Sequence, residues 1–551
     1  MSKFRLSSAL LLSLAMLAAG CSSNPSGGSS EGASDAGSSS NSSSEVATGE
    51  TGGTLNVYAC EPQVLVPSNT NESCGSEILS ALFTPLVRID EDKKPVFGDN
   101  QPDTVAKDIK LSDDKLVYTI TLKDGFTFHN GEKLDAEAYV RAWNYGANPD
   151  NAQNNSAFYD KIAGYQEVQD KAATELSGLK AVDDKTLEVT LSAPFSPFIS
   201  SLAYTAFYPM PKAGADDVKA YNEAPIGNGP FKMDGEWKHN QSITAVVNAD
   251  YPGTKPSFST LNFQIYSDIG TAYNELRAGN LDVVEDLPPE QQASFESDLG
   301  ENLVVTPSST FGFLGVPVNV EGLKDKRIRQ ALSLAIDRDA LNKAVWNDTR
   351  TPADDYVAQP IDGYREGACT YCTYDPERAK QLFEEAGGYD GTLEVWFNSG
   401  AGHEEWIEAI ANSWKQNLGI SEVKFQSMIF AEFLNKLEEK NVSGPYRLGW
   451  SADYPSMDNY LAPILGTDGS SNYTGYSNPE FDNLIKQGNE AATREEAVKF
   501  YQQADDLVLE DMPLIPIVYS KKFSGISDNV DDFKVDFYDH VEYVNIKPKQ
   551  N

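Results

Sequence analysis

Short strand-like runs alternate with helical segments along most of this chain. Residues 54–58 alternate polar and apolar side chains, and a polar loop and an amphipathic helix beginning near Ser76 follow them. The same order returns in the last third of the chain, where residues 393–397 and 514–519 are strand-like and helical patterns lie between them. This alternation predicts an α/β fold.

Capping residues mark several boundaries in this pattern. Residues 115–122 and 186–191 are rich in β-branched side chains, and Asp135 between them predicts the N-cap of a helix. Asp375 followed by Pro376 predicts another helix start. Residues 403–418 predict a helix whose apolar face carries Trp406, Ile407, Ile410, Trp414 and Leu418.

Length and charge limit the number of domains and the kind of partner. A chain of 551 residues is too long for one hydrophobic core, and about 150 residues per domain predict three or four globular units. The net charge of -38 would repel a polyanion over most of the surface, which argues against a nucleic-acid partner.

The N-terminus has the pattern of an export signal. Lys3 and Arg5 precede an apolar run that is too short to span a bilayer as a mature helix. Small residues directly before Cys21 resemble a bacterial lipobox, which predicts removal of residues 1–20 and lipidation of Cys21; an ordinary signal peptide is the alternative. Residues 21–52 then form a Ser/Gly/Asn-rich tether between the lipidated cysteine and the folded protein.

Four further cysteines remain in a chain expected to be exported, where disulfides are common. Three pairings are open, and proximity in sequence favours Cys60 with Cys74 and Cys369 with Cys372. Zinc would accept the C-x-x-C spacing of the second pair, but the first pair is not another C-x-x-C. Redox catalysis is disfavoured because the helix starts after Cys372, at Asp375–Pro376.

Residues 447–455 place one carboxylate, Asp453, between Trp450 and Tyr454, and Pro455 prevents a helix from continuing. An aspartate held on such a loop or strand end could face a cationic group. The alternative is a turn aspartate that bonds its own backbone. Local sequence leaves both open.

Other polar segments have structural interpretations. In residues 327–338, apolar side chains at helical spacing predict one buried helix face. Residues 227–230 lack a P-loop lysine at the required offset, which predicts a tight turn. His129 precedes a hairpin signal and is expected to be structural, and the acidic residues beside His403 are expected on a solvated helix face.

Four of these segments resemble family 5 extracellular solute-binding proteins, the oligopeptide- and dipeptide-binding receptors of ABC importers. Residues 122–137 resemble the family's hallmark segment, and residues 225–231 resemble its G-T-G-P-Y turn with asparagine and phenylalanine as departures. Residues 327–338 resemble its R-Q-A-L-x-x-A-I-D-R helix, and residues 447–455 its W-x-A-D-Y segment. The four occur in the family's order, and the resemblance spans residues 54 to about 545.

The resemblance implies a two-lobed periplasmic-binding-protein-like fold of the type II, or cluster C, kind, with an additional small domain in the first lobe. The expected core of the first lobe combines residues 53–88, 223–311 and 518–551. The additional domain is expected at residues 89–222 and the second lobe at residues 312–517. A ligand would bind in the closing cleft between the lobes.

The resemblance also implies a function and a site. An extracellular oligopeptide would be captured and delivered to the transmembrane subunits of an ABC permease, by a monomer held on the outer face of the bacterial cell membrane only through lipidated Cys21. Asp453 would bind the peptide's α-ammonium, and Trp450 and Tyr454 would wall the pocket. By looser alignment Glu61, Gln63 and Val64 would contact the peptide backbone. No motif identifies a residue for the peptide carboxylate, and no cofactor is expected.

Three alternatives to peptide capture for import remain at this point, and one of them, a surface receptor or adhesin that binds peptide signals without import, cannot be separated from import by sequence. An enzyme is disfavoured because the chain has only four histidines and neither an H-E-x-x-H nor a G-x-S-x-G motif. The stronger alternative is a binding protein of the same fold for another solute, such as nickel, haem, a siderophore or an oligosaccharide. A retained aspartate favours an amine-bearing ligand.

Overall fold

The computed structural model describes residues 52–549. The signal peptide, Cys21 and nearly all of the tether therefore lie outside the described residues. The first stretch of the described chain contains β1 (Thr54–Ala59), α1 (Ser73–Leu82), β2 (Arg88–Ile89), β3 (Pro95–Val96), β4 (Ala106–Leu111), β5 (Val117–Leu122), α2 (Ala136–Ala147), α3 (Tyr165–Gln169), β6 (Leu179–Asp183), β7 (Thr186–Thr190), α4 (Phe198–Ser201), α5 (Lys212–Asp216) and α6 (Val218–Glu223).

The remaining elements continue the alternation of strands and helices. They are β8 (Phe231–Met233), β9 (Ser242–Val247), β10 (Thr260–Ile265), α7 (Ile269–Arg277), β11 (Val283–Val284), α8 (Phe295–Leu299), β12 (Leu303–Gly315), α9 (Lys326–Leu334), α10 (Arg338–Trp346), β13 (Thr351–Pro352), α11 (Pro376–Glu385), β14 (Thr392–Asn398), α12 (Glu404–Leu418), β15 (Glu422–Met428), α13 (Phe430–Glu438), β16 (Tyr446–Trp450), α14 (Asp458–Leu465), α15 (Pro479–Asn489), α16 (Arg494–Asp511), β17 (Leu514–Ile526), β18 (Val530–Asp531) and β19 (Lys547–Pro548).

One long sheet connects two hydrophobic cores. Its strand order is β15-β14-β16-β12-β17-β11-β1-β10-β9-β8, and β13 also pairs with β17. One core is built mainly from residues 55–263 and the other mainly from residues 311–519. We call these the first lobe and the second lobe. The described chain is therefore a two-lobed α/β structure, as the sequence predicts.

The antiparallel strands β12 and β17, 13 residues each, run from one lobe into the other. Residues 303–307 of β12 pair with residues 521–525 of β17 in the first lobe, and residues 311–315 pair with residues 514–519 in the second. The register shifts between Pro307 and Phe311. We call this irregular stretch the crossing.

A separate antiparallel sheet of order β4-β5-β7-β6 lies within residues 106–190 and packs into the first-lobe core. Trp143 and Tyr139 of α2 are fully buried against it, and Asp135 accepts a hydrogen bond from the backbone N–H of Ala138 as the predicted N-cap. This sheet lies inside the range expected for the additional domain.

The expectation of a single helix over residues 327–338 is wrong. Helix α9 ends at Leu334, and Asp337 begins α10 as an N-cap that accepts from the backbone N–H of Ala340. The buried Arg338 guanidinium stabilises this break, because it donates to the carbonyls of Ser333, Cys372 and Pro516. The apolar side chains of the segment are buried, as predicted.

Two other structural predictions are confirmed. His129 accepts from the backbone N–H of Gly227 at Nδ1 and donates to the Gly229 carbonyl at Nε2, and burial lowers the pKa of His129 to about 4. Gly227 lies so close to α1 that a Cβ there would be 2.0 Å from the Leu82 carbonyl oxygen. The 227–230 turn is thus a packing feature and not a phosphate loop.

Among residues 52–549, no helix is long and apolar enough to cross a membrane.

Candidate functional site

The carboxyl ends of strands from both lobes point toward the crossing. In the second lobe, β16 begins at Tyr446 opposite Gly315 and ends at Trp450 opposite Phe311. In the first lobe, β1 runs parallel to β11, and β11 runs antiparallel to β17. Both β1 and β11 therefore point toward the part of β17 that lies at the crossing. Loops that follow β1 and β16 therefore approach the same region, where ligands of open α/β sheets bind.

Asp453 lies three residues beyond the end of β16, in the loop that precedes α14. Its backbone N–H donates to Asn459 Oδ1 at 3.0 Å, and Asn459 Nδ2 donates to Asp453 Oδ2 at 3.1 Å. The side chain therefore bonds a neighbouring amide and not its own backbone, unlike a simple turn aspartate. One carboxylate oxygen, Oδ1, has no hydrogen-bond partner among the described residues.

The electrostatic environment of Asp453 lacks a counterion. Burial raises the pKa of the Asp453 carboxyl, and only the Asn459 hydrogen bond opposes this shift. No Lys, Arg or His of residues 52–549 forms an ion pair with it. A half-buried carboxylate with a free oxygen and no counterion favours a cationic group that arrives from outside the protein.

The two aromatic neighbours of Asp453 have different positions. Trp450 Nε1 donates to Asn459 Oδ1 at 3.3 Å. Trp450 therefore positions the Asn459 side-chain amide, which in turn hydrogen-bonds Asp453. The Tyr454 hydroxyl donates to buried Asp458 at 3.0 Å, and its ring meets Phe195 edge-on at a centroid distance of 5.9 Å. Tyr454 therefore forms part of the wall beside Asp453.

A cavity of about 170 Å³ opens directly beside Asp453. We call it the aromatic cavity. One side consists of Asp453, Tyr454 and Asn459 from the second lobe. The other side comes from the segment that carries the four-stranded sheet: Ala157, Phe158, Asp160, Lys161, Phe195, Phe198 and Ser201.

Glu61, one of the three residues after β1 that were predicted to contact a peptide backbone, is hydrogen-bonded to other residues of the first lobe. Glu61 accepts from the Asn240 backbone N–H at 2.7 Å and bonds His239 Nδ1 at 3.0 Å, while Glu223 bonds the other ring nitrogen at 2.8 Å. The hydrogen bonds to Glu223 and Glu61 raise the pKa of His239. Within residues 52–549, Glu61 has no hydrogen bond to the Asp453 loop.

The other two predicted contact residues of this loop, Gln63 and Val64, each use one backbone group in a hydrogen bond within the protein. Gln63 is exposed, and its backbone N–H donates to Glu72. The Val64 carbonyl accepts from the Thr70 hydroxyl at 2.8 Å. A disulfide between Cys60 and Cys74 closes this loop, with a Cα–Cα distance of 5.3 Å. Neither residue lines the aromatic cavity.

The second favoured disulfide, between Cys369 and Cys372, is also present. Both sulfur pairs are thus used in covalent bonds, which removes them as zinc ligands in this structure. No group of three or more His, Cys, Asp or Glu side chains among residues 52–549 could hold a metal ion. The glutamates beside His403 lie exposed on α12, as expected of a solvated face.

A second cavity, of about 180 Å³, contains two arginines that the sequence did not single out. We call it the arginine cavity. Arg447 of β16 donates to Asn398 Oδ1 at 3.2 Å, and Arg350 lies over the Trp346 ring with its guanidinium 5.9 Å from the centroid. Neither forms an ion pair with any carboxylate of the described residues.

Burial lowers the pKa of both arginines, and no carboxylate of the described residues neutralises their charge. Desolvation, with a contribution from Arg350, lowers the pKa of Arg447 to about 10, and desolvation also lowers the pKa of Arg350. Burial and the same two cations lower the pKa of His403 to about 4, and His403 Nε2 is buried without a partner among the described residues. A neutral imidazole and two guanidiniums can together bind one carboxylate.

Sequence reasoning missed this cavity because its arginines are far apart in the chain. Arg350 precedes β13, which pairs with β17, whereas Arg447 lies in β16, which pairs with β12. The available signal was Arg447 itself, a cation in the same segment as Asp453. The Asp453 loop and the arginine cavity thus lie at opposite ends of one short stretch, residues 447–453.

Several known proteins are similar to this chain over most of its length. It is 26% identical over 490 residues to the oligopeptide-binding protein OppA of Bacillus subtilis, covering 86% of this chain and 88% of that protein. It is 27% identical over 451 residues to heme-binding protein A of Haemophilus influenzae, covering 77% and 80%. The unliganded open form of the periplasmic murein tripeptide binding protein MppA superposes with a TM-score of 0.81 at 23% identity, covering 91% of this chain and 98% of that one.

The family model for the bacterial extracellular solute-binding proteins, family 5, matches residues 101–472. That match includes all four motifs in full and most of the strand-and-helix alternation of the second lobe. On the fold, the motifs and this match, the chain belongs to the family 5 extracellular solute-binding proteins of bacteria.

Proposed function

We propose that this protein captures short peptides with free termini in the cleft between its lobes and delivers them to the permease of an ABC importer. The observation that carries the proposal is a pair of uncompensated, half-buried charges of opposite sign, Asp453 and Arg447, six residues apart in one segment. A zwitterionic peptide would neutralise both. No covalent chemistry is needed for this function.

Asp453 is proposed to bind the α-ammonium. Asp453 lines an open cavity, and the Asn459 amide holds one of its carboxylate oxygens in place. A charge-assisted hydrogen bond from the ammonium would contribute about 1.5 to 3 kcal/mol of binding free energy. Trp450 supports this geometry through Asn459, and Tyr454 forms the adjacent wall.

Arg447 and Arg350 are proposed to bind the peptide's terminal carboxylate, with His403 Nε2 as a further polar contact. A carboxylate in the arginine cavity would offset both the desolvation of Arg447 and the repulsion from Arg350, which together lower the pKa of Arg447. Bidentate geometry between guanidinium and carboxylate would add orientation to the charge attraction.

The separation of the two charges limits the ligand's length. Six residues of fully extended chain span at most about 22 Å, and a bound peptide extends by about 3.3 to 3.6 Å per residue. This length limits the separation of the two Cα atoms, so a ligand held directly at both ends would be a short peptide.

The first lobe is proposed to form the opposite wall of the cleft. Exposed Gln63 lies beside Glu61 and Val64 in the loop after β1, whose strand end points toward the crossing. We propose that this loop contacts the peptide backbone when the lobes close about β12 and β17. A ligand that bridges both lobes would shift the population toward the closed form. The parts proposed to move are the two lobes and the additional domain, with the boundaries expected from the sequence.

Family membership makes the protein extracytoplasmic, and we propose that lipidated Cys21 anchors it to the membrane as a monomer. Metabolic labelling with palmitate tests the anchor: the wild-type protein would take up the label and Cys21→Ser would not. Label on Cys21→Ser, or none on either protein, would contradict the lipoprotein assignment while leaving peptide capture untouched.

Calorimetric titration with Ala-Ala-Ala, its N-acetylated form and its C-amidated form tests the ligand class. The free tripeptide is expected to bind at least about tenfold more tightly than either blocked form, since each block removes one charged contact. Equal affinity for the N-acetylated form would refute the role of Asp453. Binding of haem in place of every peptide would instead support the non-peptide alternative that the haem-binding relative raises.

A further inference from the structure

We propose that Ser309 and Thr310, in the crossing, are positioning residues for Asp453 and tie the proposed ammonium site to the strands about which the lobes close. The proposal rests on the function above, because it assumes that Asp453 binds an α-ammonium. Neither residue is proposed to contact that ammonium. The consequence is that substitutions in the crossing change the affinity for peptides with a free N-terminus more than the affinity for N-blocked peptides.

The crossing contains a bulge in β12. Pro307 still pairs with Lys521. The next pair is Phe311 with Tyr519, so three residues of β12 stand opposite one residue of β17. Proline lacks a backbone N–H and is tolerated within sheets mainly at edges and bulges, which fits its place directly before this stretch. The polar groups of bulged residues lose their ladder partners and are free to bond elsewhere. The three bulged residues are Ser308, Ser309 and Thr310.

Thr310 meets the Asp453 loop at the point where β16 leaves the sheet. The ladder between β12 and β16 ends with the pair of Phe311 and Trp450. Thr310 and Ser451 are the next residues beyond that pair, and their hydroxyl oxygens lie 2.9 Å apart. A hydrogen bond between side chains thus continues the contact after the backbone ladder ends, two residues before Asp453.

Ser309 contacts the chain on both sides of Asp453. Its hydroxyl accepts from the backbone N–H of Ala452 at 3.4 Å, and its carbonyl accepts from the hydroxyl of the fully buried Tyr460. Ala452 directly precedes Asp453. Tyr460 directly follows Asn459, whose side-chain amide bonds the Asp453 carboxylate. The bulge therefore holds both the loop before Asp453 and the helix that carries its amide partner.

The bulge is in turn connected to the first lobe and to the arginine cavity. Buried Ser308 accepts from the backbone N–H of Thr310 at 3.2 Å, and its hydroxyl donates to Asp539 Oδ2 at 3.4 Å. Asp539 lies in the C-terminal segment, several residues of which are buried in the first-lobe core. Opposite the bulge, Ser520 accepts from the guanidinium of Arg350. A movement of the lobes about the crossing would therefore be felt at Asp453.

Asp453 depends on this support because few contacts hold its carboxylate. Among the described residues, only the Asn459 side-chain amide bonds it, at 3.1 Å. A charge-assisted N–H···O bond is about 2.7 to 2.9 Å long, so a loop displaced by a few tenths of an ångström would bind an ammonium less well. The hydrogen bonds of Ser309 and Thr310 fix the carboxylate where the α-ammonium arrives.

Removal of the Thr310 hydroxyl tests the proposal. Thr310→Val keeps the shape of the side chain, and Thr310→Ser keeps the hydroxyl. Ser451→Ala removes the other partner, and Ser451 lines neither the aromatic cavity nor the arginine cavity. The matched control is Thr306→Val, because Thr306 is a half-buried threonine of β12 that has no hydrogen bond to residues 451–460 in the described chain.

Titration calorimetry measures the affinities for Ala-Ala-Ala, its N-acetylated form and its C-amidated form. Thr310→Val and Ser451→Ala are each expected to bind Ala-Ala-Ala about threefold to tenfold more weakly, as for the loss of one hydrogen bond. The C-amidated form keeps its ammonium and should weaken by the same factor, whereas the N-acetylated form should change little. Thr310→Ser and Thr306→Val should bind like the wild-type protein. The double variant Thr310→Val/Ser451→Ala should lose no more than either single variant, because both break one contact.

Three results would overturn the proposal while leaving peptide capture intact. One is unchanged discrimination between free and N-acetylated peptides in Thr310→Val. Another is an equal loss in Thr310→Ser, which would assign the effect to packing. The third is a loss in Thr310→Val that spares the C-amidated peptide, which would place the effect in the arginine cavity. A wild-type protein that binds no free peptide, or binds free and N-acetylated peptides equally, would instead overturn the proposed function together with this inference.

Discussion

Replacing Asp453 by asparagine removes one charge and keeps the local hydrogen bonding. The asparagine Oδ1 can still accept from Asn459 Nδ2, and the backbone N–H of residue 453 can still donate to Asn459 Oδ1, as they do in the wild-type protein. The substitution therefore separates the role of the charge from the structural role of the side chain.

The effect on binding follows from leaving a buried ammonium without its counterion. Loss of one partner of a buried, hydrogen-bonded charge pair costs about 2 to 5 kcal/mol, which corresponds to a loss of affinity of about 30-fold or more. Titration calorimetry with Ala-Ala-Ala measures this loss, and the N-acetylated tripeptide should be affected much less.

The effect on stability has the opposite sign. Burial raises the pKa of Asp453 in the folded protein, so at neutral pH the ionised carboxylate opposes folding of the ligand-free protein. Asp453→Asn removes that cost, and the melting temperature of the ligand-free protein should stay the same or rise. A marked fall in melting temperature would mean that Asp453 is mainly structural.

Asp458→Asn is the matched control for this experiment. Asp458 is also a buried carboxyl of the same loop region, and burial raises its pKa to about 6. It accepts from the Tyr454 hydroxyl but does not line the aromatic cavity. The reasoning is refuted if Asp453→Asn binds Ala-Ala-Ala as tightly as the wild-type protein, or if Asp458→Asn causes the same loss.

Three further predictions concern pH, the carboxylate contact and the fold. Because protonated Asp453 cannot pair with an ammonium, affinity for Ala-Ala-Ala should fall as pH is lowered through the raised pKa of Asp453, and calorimetry of Asp453→Asn should show no such fall. Arg447→Gln should weaken binding of the free tripeptide by about 2 kcal/mol or more and leave binding of the C-amidated form nearly unchanged, as measured in paired titrations. Gly227→Ala should lower the free energy of unfolding by about 1 to 3 kcal/mol or more in urea melts, because its Cβ would meet the Leu82 carbonyl, and an unchanged midpoint would contradict this packing.

Local sequence patterns predicted most elements because their causes are local. The apolar face of α12 and the Asp375–Pro376 start of α11 are both present, since periodicity and capping depend on residues within one or two turns. The break between α9 and α10 was missed because the apolar helical spacing continues across it, although Asp337 is a local cap, and because the Arg338 contacts there include the carbonyls of Cys372 and Pro516. Such distant partners leave no periodic signal near the break.

The candidate site was predicted unevenly for the same reason. Asp453 was found from the motif around it, but its missing counterion is visible only when the surrounding side chains are placed. The arginine cavity depends on strand pairing, because Arg350 directly precedes β13, which pairs with β17, and Arg447 lies in β16, which pairs with β12. The aromatic cavity needs Phe158 and Phe195 from one segment and Tyr454 from another.

The most direct test of peptide capture is native mass spectrometry of the purified protein after incubation with an equimolar mixture of free tripeptides, their N-acetylated forms and haem. Complexes with the free tripeptides alone are expected, and Asp453→Asn should give none of them under the same conditions. Retention of the N-acetylated peptides at the same level, or of haem in place of peptide, would contradict the assignment of Asp453 as the ammonium site of a peptide receptor.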